Sequence, residues 1–357
     1  MNKKRVLIMA GGTGGHIYPA LACAELLASQ GYEVRWLGSK GGMELDLVPQ
    51  HNIEIDAIAI KGVRGNGIKG LLLAPLRVLY AIGQSIALVR RFRPHVVLGM
   101  GGFVAGPGGV AARLCSIPLV VHEQNAIAGT TNKLLSKIAT KILQAFAGAL
   151  PKGQTVGNPV RADILELKSK PEGYRQGRPL KLLVVGGSLG AQAINTLMPQ
   201  VLSQWGGDVR LDVWHQTGKR NIDSVAALYE DAQVEARVDA YIENMNDAYY
   251  WADVVLCRAG AMTISELAIA GLPSILVPFP YAIDDHQTKN AKSLVMVGAA
   301  KLMAQDELNL SSLTQVLEEF VSDEGLLNKM GAAAKRVAYP NATQNVVAEC
   351  KRLIKHD

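Results

Sequence analysis

One pattern, present twice, constrains the fold more than any other feature. Val6-Leu7-Ile8-Met9-Ala10 runs into the glycine-rich turn Gly11–Gly15 and then a helix-like stretch, Pro19–Gln30. Far along the chain, Leu182–Val185 runs into Gly186-Gly187-Ser188-Leu189-Gly190 and a second helical stretch, Ala191–Ser203. A short apolar run, a tight glycine turn and an amphipathic stretch make the opening unit of a strand–helix–strand series. Each copy heads such a series. The first half predicts strands at Arg5–Met9, Glu33–Leu37, Ile53–Ile58, His95–Leu98, Leu119–His122 and Lys141–Gln144. The second predicts them at Lys181–Val185, Arg210–Gln216, Val238–Tyr241, Val254–Cys257, Ser274–Val277 and Ala300–Met303. The expected fold is α/β, with two Rossmann-like, doubly wound parallel-sheet domains. The 357 residues agree, since single cores stop growing near roughly 250–300 residues. The segment from Gly157 to Pro179 carries three prolines, many charges and little apolar periodicity, which reads as a linker and puts the boundary near residue 160.

In sheets of this kind ligands bind beyond the carboxyl ends of the strands, so chemistry is sought in the loops that follow them. Four such turns stand out: Gly11–Gly15, Gly99–Gly109, Gly186–Gly190 and Arg258–Glu266. Any one of them is explained as well by the needs of a tight turn. Spread over both halves, they offer backbone N–H groups to anions in both domains. A nicotinamide enzyme is disfavoured: Gly12-Thr13-Gly14 starts the dinucleotide fingerprint, but residue 17 is Ile where the third glycine belongs. Nor does an acidic residue end the strand Glu33–Leu37; Gly38 and Ser39 follow it. No metal is expected. His122-Glu123-Gln124-Asn125-Ala126 is not a zinc helix, and Asp284-Asp285 before His286 reads as a helix cap. Thr263-Ile264-Ser265-Glu266 has the form of a capping box. Glu123 and Asn125 stand just past a strand end, as a candidate polar cluster.

Charge is divided unevenly. Residues 1–160 hold 17 Lys and Arg against 7 Asp and Glu, while the remainder holds 20 against 24. The first half should therefore meet an anionic surface. Aromatic residues are only 5% of the chain and rarely interleave with the basic ones, which points to lipid and away from nucleic acid. Residues 70–89 sharpen this. The stretch is long enough to span a bilayer, but Pro75 and Arg77 argue against that. Leu71, Val78, Ile82, Ile86 and Val89 form one apolar face; Leu72, Leu76, Leu79 and Tyr80 form a second that a helix packed on a core does not need. With Lys69, Arg77, Arg90, Arg91 and Arg93 around it, the second face suits shallow docking on an anionic membrane. The alternative is a plain core helix. The basic start is followed by an apolar run too short for a secretory signal, and the four scattered cysteines have neither metal nor redox spacing; both suggest a cytoplasmic chain with reduced thiols.

Taken in order, Gly11-Gly12-Thr13-Gly14-Gly15-His16, Gly99-Met100-Gly101-Gly102, His122–Asn125, Val156–Arg161, Gly186–Ser188, Arg258–Glu266 and His286-Gln287 resemble the MurG family of peptidoglycan N-acetylglucosaminyltransferases. The resemblance covers nearly the whole chain. It implies a GT-B fold, two Rossmann-like domains separated by a cleft. Residues 1–160 would be the acceptor- and membrane-facing domain, rejoined by a terminal helix at about 341–357, and residues 161–340 the UDP-GlcNAc-binding domain. It implies inverting transfer of GlcNAc from UDP-GlcNAc to the C4 hydroxyl of MurNAc in lipid I, giving lipid II. The enzyme would need no cofactor and would sit peripherally on the cytoplasmic face of the inner membrane. Donor contacts carried over are Thr13, Gly14, Gly15, Asn125, Arg161, Ser188, Ile242, Ala261, Met262, Thr263, Ile264, Ser265, Glu266 and Gln287. Of these, the Ile242 backbone would read uracil, Glu266 bind ribose, Ser188 touch diphosphate and Gln287 hold the sugar hydroxyls. Gly11, Gly12, Gly101 and Gly102 are expected on the acceptor side. Many relatives carry Tyr where this chain has Phe103, so no hydroxyl chemistry is assigned there. Inversion calls for a base, with His16 preferred over Glu123. A UDP-GlcNAc 2-epimerase of the same fold is the competing expectation.

Overall fold

The computed structural model describes residues 3–60, 67–168, 170, 178–187, 189–207 and 209–354, the side chains of 67–72, 283 and 324 excepted. Ser188, and the side chains of Lys69 and Leu72, thus lie outside the described residues. The chain forms two compact units, Met1–Arg161 with Tyr339–Asp357, and Ala162–Ala338.

Among the described residues the first unit has seven strands: β1 (Arg5–Met9), β2 (Glu33–Ser39), β3 (Glu54–Ile58), β4 (Val96–Gly99), β5 (Leu119–Glu123), β6 (Lys141–Gln144) and β7 (Gln154–Thr155). All pairings are parallel, in the order β3-β2-β1-β4-β5-β6-β7. The order reverses between β1 and β4, where Met9 lies opposite Gly99. Both faces are covered, which is why β1 is apolar without alternation. Val6 and Ile8 pack toward Ile17, Leu21 and Leu27 of the helix Gly14–Ser29 and toward Val346, Val347 and Cys350 of the terminal helix Ala342–Leu353. Leu7 and Met9 face the opposite layer, with Leu88, Val89 and Phe92 of the helix Gly67–Phe92 and Ala111 of the helix Ala105–Leu114.

The second unit has six strands among its described residues: β8 (Leu180–Val185), β9 (Leu211–Gln216), β10 (Arg237–Asp239), β11 (Val254–Cys257), β12 (Ser274–Leu276) and β13 (Ala300–Leu302). They too are parallel, ordered β10-β9-β8-β11-β12-β13, with the reversal between β8 and β11. Its core joins Leu182, Val184, Leu256 and Ile275 to Ile194 and Met198 on one helix and Leu317 and Phe320 on another.

Three local expectations are corrected. The first helix begins at Gly14, not Pro19. Pro19 sits inside it, and the extra turn is closed by Thr13 O accepting from the N–H groups of His16 and Ile17. Thr263–Glu266 is not a capping box, because the helix Ala261–Ala270 starts two residues earlier with Gly260 as its cap. Asp285 does precede the helix His286–Val295, but its side chain makes no cap hydrogen bond. Asp284 and Asp285 both adopt left-handed backbone, at φ 54° and 51°, which turns the chain into the helix.

The helix Gly67–Phe92 divides its apolar residues between two environments. Ala81, Leu88, Val89 and Phe92 are buried, and Val78, Ile82 and Ile86 are half-buried. Leu73, Leu76, Leu79 and Tyr80 are exposed, the last three by more than 60%. Arg77, Arg90 and Arg91 are exposed as well, although Arg91 is ion-paired to Asp56 at 2.7 Å. No helix among the described residues is long and apolar enough to cross a membrane.

Candidate functional site

In the first unit, the loop after β1, the loop after β4 and the end of β5 meet at the carboxyl edge of the sheet. The approach is close because glycine permits it. Gly101 and Gly102 have φ of 100° and 78°. A Cβ on Gly102 would lie 2.2 Å from the carbonyl oxygen of Gly11, and one on Gly101 would lie 2.8 Å from Nδ1 of His16. These two glycines are therefore required where they stand, whatever they bind.

Beneath the first loop lies a carboxylate that the sequence reading missed. Glu44 is fully buried. It accepts hydrogen bonds from the Ser39 backbone N–H at 2.8 Å, the Ser39 hydroxyl at 2.6 Å and the Gly12 backbone N–H at 3.2 Å. The Gly12 N–H is thus turned inward. Thr13 caps the following helix without a side-chain hydrogen bond, and no acidic residue occupies the first turn. The positive end of that helix is left without a countercharge from its own first turn, as an anion site requires. Nothing in a single glutamate after a glycine turn signals this role; a buried carboxylate is recognised only when its donors are seen around it.

Glu123 is similarly enclosed. One oxygen accepts from the backbone and side chain of Asn125, at 2.9 and 3.3 Å; the other accepts from Gly129 N–H at 3.1 Å and Asn132 Nδ2 at 2.8 Å. The carboxylate is the internal tie of the loop after β5. His16 stands differently. It is half-buried, Nδ1 lies 3.0 Å from Gln124 Oε1, and Nε2 has no hydrogen-bond partner among the described residues. Arg161 stacks its guanidinium over the Tyr18 ring, 5.9 Å from the centroid.

In the second unit, the loops after β8, β10, β11 and β12 carry the remaining candidates. Ile242 is buried, and its backbone N–H donates to Gln216 Oε1 at 3.3 Å, leaving the carbonyl as the group to offer a base. The helix Ala261–Ala270, which holds Met262, Thr263 and Ile264, also lacks a side-chain cap and an acidic first turn. Ser265 donates back to the Ala261 carbonyl at 3.0 Å. Glu266 accepts from the Tyr249 hydroxyl at 2.8 Å, and Gln287 Oε1 accepts from Phe279 N–H at 2.8 Å, which directs its NH2 group outward. Arg258, a motif residue given no role from sequence, ties this edge together. It donates to the carbonyls of Val277 and Pro278 and to Gln305, and lies over the Phe279 ring. No cluster of three or more His, Cys, Asp or Glu side chains suited to a metal is found among the described residues.

Two parallel-sheet units, each with glycine turns and helix starts without a side-chain cap at the carboxyl edge, have the architecture of the GT-B fold. Residues 6–144 match the glycosyltransferase family 28 N-terminal domain and residues 181–346 the family 28 C-terminal domain, so the chain belongs to glycosyltransferase family 28. Within that family it is 53% identical to the UDP-N-acetylglucosamine–N-acetylmuramyl-(pentapeptide) pyrophosphoryl-undecaprenol N-acetylglucosamine transferase of Shewanella amazonensis, over 99% of this chain and 98% of that protein. It is also similar to the crystal structure of Acinetobacter baumannii MurG, with a TM-score of 0.85 and 42% identity over 98% of this chain and 99% of that one. A putative UDP-N-acetylglucosamine 2-epimerase from Listeria monocytogenes superposes with a TM-score of 0.69 at 12% identity, over 98% of this chain and 96% of that one, and shares the fold alone.

Proposed function

We propose that this chain transfers the N-acetylglucosaminyl group of UDP-GlcNAc to the C4 hydroxyl of MurNAc in lipid I, with inversion, forming lipid II for peptidoglycan synthesis. The carrying observation is the 53% identity to the Shewanella amazonensis transferase over nearly the full length of both chains. The second unit takes the donor. The Ile242 backbone reads the uracil, Glu266 the ribose, the turn at Ser188 and the helix start Ala261–Glu266 the diphosphate, and Gln287 the sugar hydroxyls. From the first unit, Thr13, Gly14, Gly15, Asn125 and Arg161 touch the donor, while Gly11, Gly12, Gly101 and Gly102 line the acceptor side.

His16 is the base that deprotonates the acceptor hydroxyl as UDP departs from the opposite side. Its unpartnered Nε2 supports this, and the four hydrogen bonds that occupy Glu123 favour an anchoring role for the carboxylate. Leaving-group charge is met by helix N-termini and backbone amides. The exposed face Leu73, Leu76, Leu79 and Tyr80, with Arg77 and Arg90 beside it, holds the first unit on the anionic cytoplasmic face of the inner membrane, where the acceptor resides.

Incubation with UDP-GlcNAc, with and without a soluble lipid I analogue, tests the reading. UDP should be released only when acceptor is present. Isomerisation of UDP-GlcNAc without acceptor would instead establish the epimerase, and no turnover with either would reject both.

A further inference from the structure

We infer that Gln124 is a positioning residue that fixes which ring nitrogen of His16 carries its proton, and that His122 behind it sets the direction of the Gln124 amide. The inference rests on the reading of His16 as the base.

The argument starts from a group whose role is unambiguous. The backbone carbonyl of Gly157 can only accept, and His122 Nε2 lies 2.9 Å from it, so Nε2 bears the hydrogen. His122 is fully buried, and burial lowers its pKa to about 4, so the ring is neutral and Nδ1 holds a lone pair. Gln124 Nε2 is 3.2 Å from that Nδ1 and 3.2 Å from the carbonyl oxygen of His122. Two acceptors there call for an NH2 group; the flipped amide would set an oxygen against an oxygen and a lone pair. The Gln124 oxygen therefore points the other way, to His16 Nδ1 at 3.0 Å. Amide oxygen accepts only, so Nδ1 of His16 must carry the hydrogen. In the neutral ring the lone pair is then on Nε2, the nitrogen without a partner among the described residues. A free imidazole side chain in water favours the opposite tautomer, with the hydrogen on Nε2, which cannot accept a proton there.

The surroundings hold this chain in place. Asn158 Nδ2 donates to the Gln124 carbonyl at 3.1 Å and Asn132 Nδ2 to the His122 carbonyl at 3.1 Å. A Cβ on Gly101 would fall within 3.4 Å of Gln124 Oε1 and 2.8 Å of His16 Nδ1, so no side chain fits beside the pair. The arrangement uses an amide where a carboxylate would serve to orient the ring but would also favour its cation. An amide fixes the tautomer without adding charge beside the base.

Nitrogen-15 NMR of histidine-labelled protein at alkaline pH, where imidazole is neutral, should show the wild-type His16 ring protonated at Nδ1. In Gln124→Met, similar in length but with no acceptor for Nδ1, the Nε2-protonated form should dominate. The kcat should fall roughly tenfold or more, with both KM values held within about twofold. Gln124→Glu should keep the Nδ1 proton and move the acid limb of the kcat profile to higher pH, because the new carboxylate stabilises the imidazolium. A wild-type ring protonated at Nε2 overturns the inference whether or not the variants fold, as does an unchanged ring and kcat in Gln124→Met. His16→Ala is run beside them. If it retains kcat and its acid limb, the base reading fails on its own, while the tautomer is still decided by the spectra.

Discussion

At the scale of single residues, the first unit uses glycine and buried polar groups to support one another. Gly101 is the clearest case, because its backbone sits at φ 100° and its missing Cβ is what admits His16 Nδ1. Gly101→Ala forces a left-handed alanine and a contact at 2.8 Å with the ring. The backbone strain alone is of order 1 kcal/mol or more. The ring is the easier part to move, so the substitution should cost activity out of proportion to stability. The expected result is a kcat loss of about 10²-fold, the general-base share, with a thermal midpoint lowered by only a few degrees. Parallel kinetics and thermal melts check this, and a variant that melts normally and turns over normally would show that the ring does not need its present position.

At the scale of elements, the strands were legible chiefly because the central ones, β1, β4, β8 and β11, are short, nearly continuous apolar runs followed by glycine-containing turns. All twelve predicted strands are present, several shifted by a residue or two at an end, and among the described residues only the two-residue strand Gln154–Thr155 went unforeseen. Helix starts were less legible. Glycines at 14 and 15 read as turn, yet tertiary packing of Ile17 against the sheet carries the helix through them. The sequence pointed to the right loops but not to the ties within them. Glu44, Gln124 and His122 reach Gly12, His16 and Gly157 through hydrogen bonds over long sequence separations, which leave no periodic trace. The helix Gly67–Phe92 shows what periodicity does resolve: a second apolar face with no core to cover it. Leu76 and Leu79 are more than 60% exposed, so replacing both with Glu removes no core contact and should leave folding stability within about 0.5 kcal/mol. Binding to vesicles rich in anionic lipid should drop at least tenfold in a sedimentation assay, because two apolar anchors are lost and two negative charges are added. Turnover of a soluble acceptor analogue should be unaffected. Unchanged vesicle binding would remove this face from the docking proposal.

At the scale of the whole molecule, each unit carries a buried neutral histidine near the end of a strand, although the two strands do not correspond in the two sheet orders. His122 lies in β5 of the first unit and His215 in β9 of the second, each shielded from water. In the second, His215 lies between the Tyr229 hydroxyl at 2.8 Å and Asn195 Oδ1 at 3.1 Å, so the ring donates to the amide oxygen and accepts from the phenol. Burial lowers the pKa of His122 to about 4 and that of His215 to about 3, from 6.5 for an unhindered ring. A native-state pKa below the unfolded value means that the unfolded chain takes up the proton first. Stability is therefore undiminished above pH 6.5 and is lost as pH falls below it, until the native ring itself protonates. From pH 7.5 to pH 5 each histidine should lower the stability of its unit by about 2 kcal/mol. Because two units need not unfold together, a single midpoint is not a sufficient readout. The tryptophans separate them: Trp36 belongs to the first unit, while Trp205, Trp214 and Trp251 belong to the second. In a Trp36→Phe variant, urea unfolding followed by fluorescence reports the second unit alone, and its midpoint should fall steadily from pH 6.5 to pH 5. A midpoint flat across that window would mean that His215 is already protonated in the folded unit or still buried in the unfolded one.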